Sequence, residues 1–512
     1  MGALTAPSAL VKKWDSRATR GWSDLAPVEM GWLDRHPSTL FMVVVTLASS
    51  LALGAAVAVK PKIAIVVVLA VAAGLAVLRR PAIGGYLLVG LVPITSGLRQ
   101  GFPIPGLRLS ELLIGTLAVA ILIPATFRQA LRWRTFDWML LAYATYSFLI
   151  GAYDLHHHGI PFTWSLVGTL FGPMQFFLLY RSVAVSLPLH HQRNRALALL
   201  ILASIPVSFI ALLQQLKISG INTFVANITG STVFNGYGYF FARATGPFSL
   251  WTPLAGYLLV ILLLSMSLLL HGVDTVLSRR VIFFVLALDA LGLLLSAELS
   301  AMIALVPAGI ILGVWSGKLK FLLRWGLLVI LLLGISFGSY LQQRLSTEFF
   351  TSAGSGRSVF VPQTLQFRFN IWTQQYFPAI REQIFNGYGP TFPSSIVWQY
   401  TESQYVTFLM WGGIPLLVIF IAMMWALFAR ARALARPEGT DSSRWAMARA
   451  VALLVVATYF IDSVYPYITS GGLPQALFAL VGIMVATEHR APRTPQAVAP
   501  PRIQPVRQEV LV

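Results

Sequence analysis

Apolar residues fill long stretches of this chain, and polar residues gather in the breaks between them. A bilayer core is about 30 Å thick, so roughly 20 consecutive helical residues cross it. By that measure the pattern predicts an all-α polytopic membrane protein with about 14 transmembrane helices. The runs lie near 40–59, 62–78, 82–97, 109–126, 136–153, 162–180, 195–216, 247–270, 280–297, 299–316, 322–340, 403–429, 447–465 and 472–487. The run at 82–97 is short and holds Pro93, which marks it as a candidate for a broken helix. Two breaks are long, 217–246 and 341–402. Within the second, Leu365, Phe369, Trp372, Tyr376 and Ile380 recur at helical spacing, so 362–385 reads as an amphipathic helix on the membrane surface. Asn386-Gly-Tyr-Gly-Pro390 ends that helix.

The chain therefore divides into an interfacial N-terminal segment (1–38), helices one to eleven (39–340), a large loop (341–402), helices twelve to fourteen (403–489) and a Pro/Arg-rich tail (490–512) expected to be disordered. The first segment is basic and carries Trp14, Trp22 and Trp32, which suits the headgroup region. Its charged character also predicts that the first apolar run is an anchor rather than a cleaved signal. No internal repeat is evident.

Composition narrows the class. Apolar residues make up 57% of the chain and charged residues 11%, against about 25% charged in an ordinary soluble domain. The mean hydropathy of +0.74 excludes a water-soluble globular enzyme and a disordered chain. The chain has no Cys, so disulfides, thiolate catalysis and Cys-ligated metals are excluded. The net charge of +19 reads as the Lys/Arg excess of cytoplasmic loops rather than as a nucleic-acid footprint. With both termini cytoplasmic, only ten of the 37 Lys and Arg fall outside: Lys60, Lys62, Arg99, Arg108, Lys217, Arg243, Arg344, Arg357, Arg368 and Arg381. The aromatic loop 341–402 then faces outward, and the chemistry is expected on that side.

Ionisable groups at the outer ends of spans are the candidates for that chemistry. Arg243 stands before the eighth span, in Phe241-Ala-Arg-Ala-Thr-Gly-Pro-Phe248, and Arg368 stands on the loop helix. Guanidinium forks bind phosphate oxygens in pairs, so two of them could hold a diphosphate and stabilise it as a leaving group. The plainer alternative for each is an interfacial arginine. Glu402, at the start of the twelfth span, could act as a general base made more basic by burial, or be a simple interface carboxylate. Glu298 is a weaker candidate, and Glu382 and Glu348 read as solvated. His156-His157-His158 lacks partners for a metal site, and His36, His190, His191 and His489 fall on the cytoplasmic side. No metal or other cofactor is expected. No P-loop, dinucleotide-binding or nucleophile-elbow motif occurs, so an outer-face enzyme would use a pre-activated substrate.

Four pieces of the chain, in order, resemble the O-antigen polymerase and O-antigen ligase superfamily of bacterial membrane glycosyltransferases. They are Leu107-Arg-Leu-Ser-Glu-Leu-Leu113, Arg243-Ala-Thr-Gly246, Arg368-Phe-Asn-Ile-Trp372 with Ile384-Phe-Asn-Gly-Tyr-Gly389, and Glu402-Ser-Gln-Tyr405 with Trp411-Gly-Gly-Ile-Pro415. The resemblance implies a metal-independent transferase in the bacterial inner membrane, with its active site outside and an undecaprenyl-diphosphate-linked oligosaccharide as donor. Arg243 and Arg368 would hold the donor diphosphate, Gly246, Trp372, Gly387 and Gly389 would line the substrate site, and Glu402 would activate the acceptor hydroxyl. Membrane lipids and a chain-length regulator protein are the partners it implies.

One departure bears on the branch. Ligases of this superfamily typically carry a His near the end of the large loop, whereas 341–402 contains none and Glu402-Ser403-Gln404 stands there. That favours a polymerase of surface polysaccharide over a ligase joining glycan to lipid A core or protein. A lipid-linked glycan flippase is the alternative from another class. It would want charges along a central path, and Asp289 and Asp462 are the mid-span acids available.

Overall fold

The computed structural model describes residues 72–99, 107–127, 133–161, 163–231, 243–349, 362–435 and 442–486. The expected first span, most of the second, the N-terminal segment and the C-terminal tail lie outside them. Besides a helical stretch at 72–79, the described residues form sixteen α-helices and no strand. In chain order they are α1 (Pro81–Thr95), α2 (Leu109–Phe127), α3 (Thr135–His157), α4 (Trp164–Ser186), α5 (His190–Leu202), α6 (Ser204–Gln215), α7 (Ile221–Thr229), α8 (Trp251–His271) and α9 (Arg279–Ser296). They continue with α10 (Leu299–Trp315), α11 (Leu319–Phe349), α12 (Gln363–Ile371), α13 (Phe377–Glu382), α14 (Gln404–Leu434), α15 (Ser442–Ile461) and α16 (Leu473–Val485).

Five stretches are long and apolar enough to cross a membrane: Leu109–Thr126, His190–Gln215, Trp251–His271, Gln404–Leu434 and Ser442–Ile461. The apolar helices α1, α10 and α16 are shorter. Helices α3 and α9 also fall on expected spans but carry Asp137 and Asp154, and Arg279, Arg280 and Asp289, respectively. The exposed surface agrees with a multi-pass membrane protein. Leu327, Leu331 and Ile335 repeat every four residues along α11 and are 66%, 56% and 76% exposed. Each such side chain left in water would forgo about 1.5–3 kcal/mol of burial, a penalty that hydrocarbon does not levy.

The centre is built from helices that are apolar all round, as buried helices are. Every residue from Thr252 to Ser265 in α8 and from Leu473 to Val485 in α16 is buried. Helix α8 packs against α9 and α15, α16 against α4, and α14 against α3.

Local sequence explains the departures from the expected spans. The run 195–216 is kinked at Ala203 into α5 and α6. Pro206 cannot donate to the Leu202 carbonyl, and Ser204 Oγ bonds back to the Ile201 carbonyl at 2.7 Å. Pro93 does not break α1, which continues to Thr95 with the proline in its last turn. Helix α11 runs to Phe349, so the large loop begins later than position 341. The expected helix 362–385 is present as α12, a π-turn (Trp372–Tyr376) and α13. A π-turn adds about one residue per turn and rotates the apolar stripe. Phe369, on the expected stripe, is therefore exposed, while Ile371, Tyr376 and Ile380 are buried.

Candidate functional site

The π-turn fixes one wall of the site. Trp372 Nε1 donates to the Thr401 carbonyl at 2.6 Å, and Tyr376 Oη donates to the Trp398 carbonyl at 2.6 Å. Gln375 Oε1 accepts from the backbone N–H groups of Val397 and Trp398, both at 3.1 Å. Three side chains of one turn thus hold the extended segment 397–401 along the loop helix. Glu402, at its end, has φ +55. A non-glycine residue in that region costs about 1–3 kcal/mol and persists only when its surroundings enforce it. Here the two sides are enforced separately, by Trp372 on Thr401 and by the Asp462 carbonyl, which accepts from Gln404 N at 2.8 Å.

This turn delivers Glu402 to Arg368. Arg368 Nε and Nη2 both donate to Glu402 Oε2, at 3.2 and 3.3 Å, and the two side chains are 19% and 17% exposed. Both bonds fall on one carboxylate oxygen, so this arginine leaves Oε1 open to another partner. Burial pushes the Glu402 carboxyl above the ordinary carboxylate range; Arg368 pulls it down, and the charge of Glu298 adds to the upward push. Removing Arg368 removes the main opposing pull. We expect Arg368→Gln to raise Glu402 further. The protonated-carboxyl infrared band that disappears in Glu402→Gln would then persist to higher pH; an unshifted band would show that Arg368 does not govern this carboxylate.

Glu298, ranked low from sequence, lies close enough to Glu402 for its charge to act there. It follows Ala297, itself at φ +49, in the tight turn between α9 and α10. Ser300 Oγ lies 2.7 Å from Glu298 Oε1 and 2.8 Å from Tyr467 Oη. The Leu295 carbonyl accepts from Tyr340 Oη at 2.7 Å and from Ala244 N at 2.9 Å. That second bond docks the Arg243 segment against the end of α9. The Arg243 guanidinium lies over the Trp251 ring, 4.4 Å from its centroid, an attraction between cation and ring quadrupole. Tyr465, just past the end of α15, feels the charges of both Glu402 and Glu298. Arg368, Glu402 and Glu298 thus share one electrostatic neighbourhood, and Arg243 is anchored beside the α9–α10 turn.

The glycines hold the frame. Gly246 has φ +55, and its N–H donates to Gln214 Oε1 at 2.8 Å, as does that of Thr245 at 3.0 Å. Gly387 and Gly389, at φ +66 and +65, flank Tyr388 where the loop meets α14. Tyr388 N donates to the Met410 carbonyl at 2.6 Å and Gly389 N to the Trp411 carbonyl at 2.9 Å. A Cβ at Gly387 would stand 2.6 Å from the Met410 carbonyl oxygen, and one at Gly389 would stand 2.5 Å from Asp154 Oδ2. The amides of Gly246, Gly387 and Gly389 are committed to the protein, so these three residues shape the site through the backbone. Trp372, expected at the substrate, likewise spends its N–H on Thr401.

The remaining candidates lie elsewhere. His156, His157 and His158 are exposed, and His158 Nδ1 is 3.0 Å from Asp154 Oδ1. Among the described residues no three His, Asp or Glu side chains gather as a metal site would require. Glu382 is exposed and accepts from Tyr388 Oη at 3.1 Å. Asp289 accepts from Ser204 and Ser208, both at 2.7 Å, and Asp462 Oδ1 accepts from Tyr467 N at 3.2 Å. Sequence reasoning missed Ser300, Tyr340, Tyr465 and Tyr467. Their one signal is position: each is a polar residue near the end of an expected span on the side where Arg243 and Glu402 fall. No known protein family matches the chain, and no curated protein sequence matches it.

Proposed function

We propose that this protein is a membrane glycosyltransferase that polymerises a bacterial surface polysaccharide of the O-antigen or exopolysaccharide type. In this reading the chain spans the inner membrane about fourteen times, with both termini in the cytoplasm. The glycan is transferred from undecaprenyl diphosphate to the next lipid-linked repeat unit on the outer face. The acceptor hydroxyl attacks the anomeric carbon of the donor sugar, the bond from that carbon to the diphosphate oxygen breaks, and the diphosphate leaves on its lipid. Glu402 takes the hydroxyl proton, while Arg243 and Arg368 offset the charge developing on the diphosphate.

The observation that carries the reading is the Arg368–Glu402 pair, a partly buried guanidinium and a carboxylate pushed upward by burial, held together by the π-turn of the large loop. A base needs a pKa nearer the working pH than an exposed carboxylate has, and a diphosphate needs a fixed cation. The two serine hydrogen bonds that engage both oxygens of Asp289 favour a structural use of that acid over a transport path.

The test is to delete the gene and separate the surface glycan by size and attachment. Molecules capped by a single repeat support the polymerase. Long chains stranded on the carrier would make it a ligase, and repeats trapped on the cytoplasmic face would make it a flippase. Complementation by Arg243→Ala is expected to leave the single-repeat phenotype although the protein inserts in the membrane. A normal polymer ladder from that variant would overturn the assignment of Arg243.

A further inference from the structure

A second site lies beside the first. A cavity of about 100 Å³, enough for several water molecules, opens between α2, α3, α4 and α14. Its lining includes Arg108, Glu111, Ser147, Gln175, Phe408 and Trp411. Thr469 also lines it. Thr469 donates through N and Oγ1 to Gln404 Oε1, at 3.1 and 3.3 Å, and Gln404 stands two residues from Glu402. The cavity therefore adjoins the start of α14 that presents the candidate base.

Three residues of this lining each carry a polar atom that is buried without a hydrogen-bond partner in the protein: Ser147 Oγ, Gln175 Oε1 and Trp411 Nε1. Each such atom costs about 1–3 kcal/mol if left unsatisfied. Their chemistry selects the ligand. Trp411 Nε1 can only donate, Gln175 Oε1 can only accept, and Ser147 Oγ can do either. A phosphate could satisfy the indole but not the amide oxygen, an ammonium the reverse, and an acyl chain neither. A hydroxyl both donates and accepts. Arg108 and Glu111 lie in the same lining with opposite formal charge, which favours a neutral ligand. The rings of Phe408 and Trp411 offer apolar faces for the C–H face of a sugar.

We propose that this cavity is a saccharide subsite that seats one sugar ring, its hydroxyls bonded to Ser147, Gln175 and Trp411. It takes the glycan from the proposed glycan-transfer reading, and positions that glycan next to Glu402. Water occupying the cavity would be displaced by hydroxyls that reproduce its hydrogen bonds, so the exchange forfeits little.

The experiment uses the full-length protein in lipid nanodiscs. The probe is oligosaccharide released by mild acid from the host's own carrier-linked glycan pool, and binding is followed by saturation-transfer NMR. The parent protein is expected to bind it. Gln175→Leu, which removes the acceptor at similar bulk, and Trp411→Phe, which removes the donor but keeps an aromatic ring, are each expected to weaken binding at least about tenfold. Gln175→Glu, which keeps an acceptor, should restore part of the loss. Thermal unfolding of each variant checks that it folds. Absence of binding by the parent, or unchanged binding by folded Gln175→Leu and Trp411→Phe, would overturn the subsite. Glu402→Gln separates the two ideas, since it should bind the oligosaccharide as the parent does yet fail in chain growth. Chain growth absent from the parent, with binding still sensitive to Gln175 and Trp411, would sink the polymerase and leave the subsite standing.

Discussion

Glu402→Gln is expected to lower glycan transfer by about 10²–10⁴-fold, the usual worth of a positioned general base. The change is close to isosteric, so the left-handed turn at 402 and its two flanking hydrogen bonds should survive, and the protein should reach the membrane at normal level. The pH dependence supplies the sharper test. A base acts only when deprotonated, so parental activity should fall as pH drops through the Glu402 pKa, which burial holds above the ordinary carboxylate value of 4.5. The Gln variant has no such group, and its residual rate should lack that acid limb. Arg368→Gln should move the limb of any remaining activity to higher pH, because Arg368 is the main influence pulling the carboxyl down. An unchanged polymer ladder in Glu402→Gln, or an acid limb that persists in it, would remove Glu402 from the reaction.

The helices were legible because hydrophobic patterning acts locally. The runs at 109–126, 247–270, 280–297 and 299–316 are met to within about four residues by α2, α8, α9 and α10. What patterning cannot report is what a carbonyl or hydroxyl does across the fold. The π-turn at 372–376 leaves no mark in hydropathy, yet it decides that Ile371 and Tyr376 face inward and that Arg368 meets Glu402. Glu298 looked unremarkable between two apolar runs. It gains its place through Ser300, which bonds it from the next turn of the chain and is itself met by Tyr467 from the far end of the sequence. The motif glycines stand out in the sequence as parts of the pieces that resemble a known family, where they are expected to line the substrate site. Their use differs from the expected one: Gly246, Gly387 and Gly389 let backbones approach each other, and their amides are already bonded to Gln214, Gln383 and Trp411.

The largest structural effect is expected from another glycine that sequence marked only as part of a Gly-rich helix start. Gly413 has φ +65 and ψ −163, a conformation essentially confined to glycine, and with Gly412 it kinks α14. A Cβ there would lie 2.4 Å from the Phe385 carbonyl carbon and oxygen and 2.6 Å from the Ile384 oxygen. These are backbone atoms and cannot rotate away. They belong to the segment whose Ile384 carbonyl accepts from Ile414 N at 2.9 Å and which continues into the Gly387–Gly389 contact with Met410 and Trp411. Gly413→Ala must therefore both strain its own backbone and lift the loop from α14, at a combined cost of roughly 4–5 kcal/mol or more, in the range reserved for severe lesions. The expected result is a sharp loss of detergent-stable, monodisperse protein, with a lower unfolding temperature in what remains. Gly334→Ala is the control, since nothing lies within 4 Å of a Cβ placed there in α11, and alanine in a helix is worth about 0.5–1 kcal/mol over glycine. Equal behaviour of the two variants would mean that the loop and α14 are not locked at this kink. The position also ties stability to chemistry: the residues before the kink include Trp411 in the cavity wall, and the helix start behind them follows directly on Glu402. A loop lifted at Gly413 should disturb saccharide binding and transfer together, whereas Glu402→Gln should disturb transfer alone.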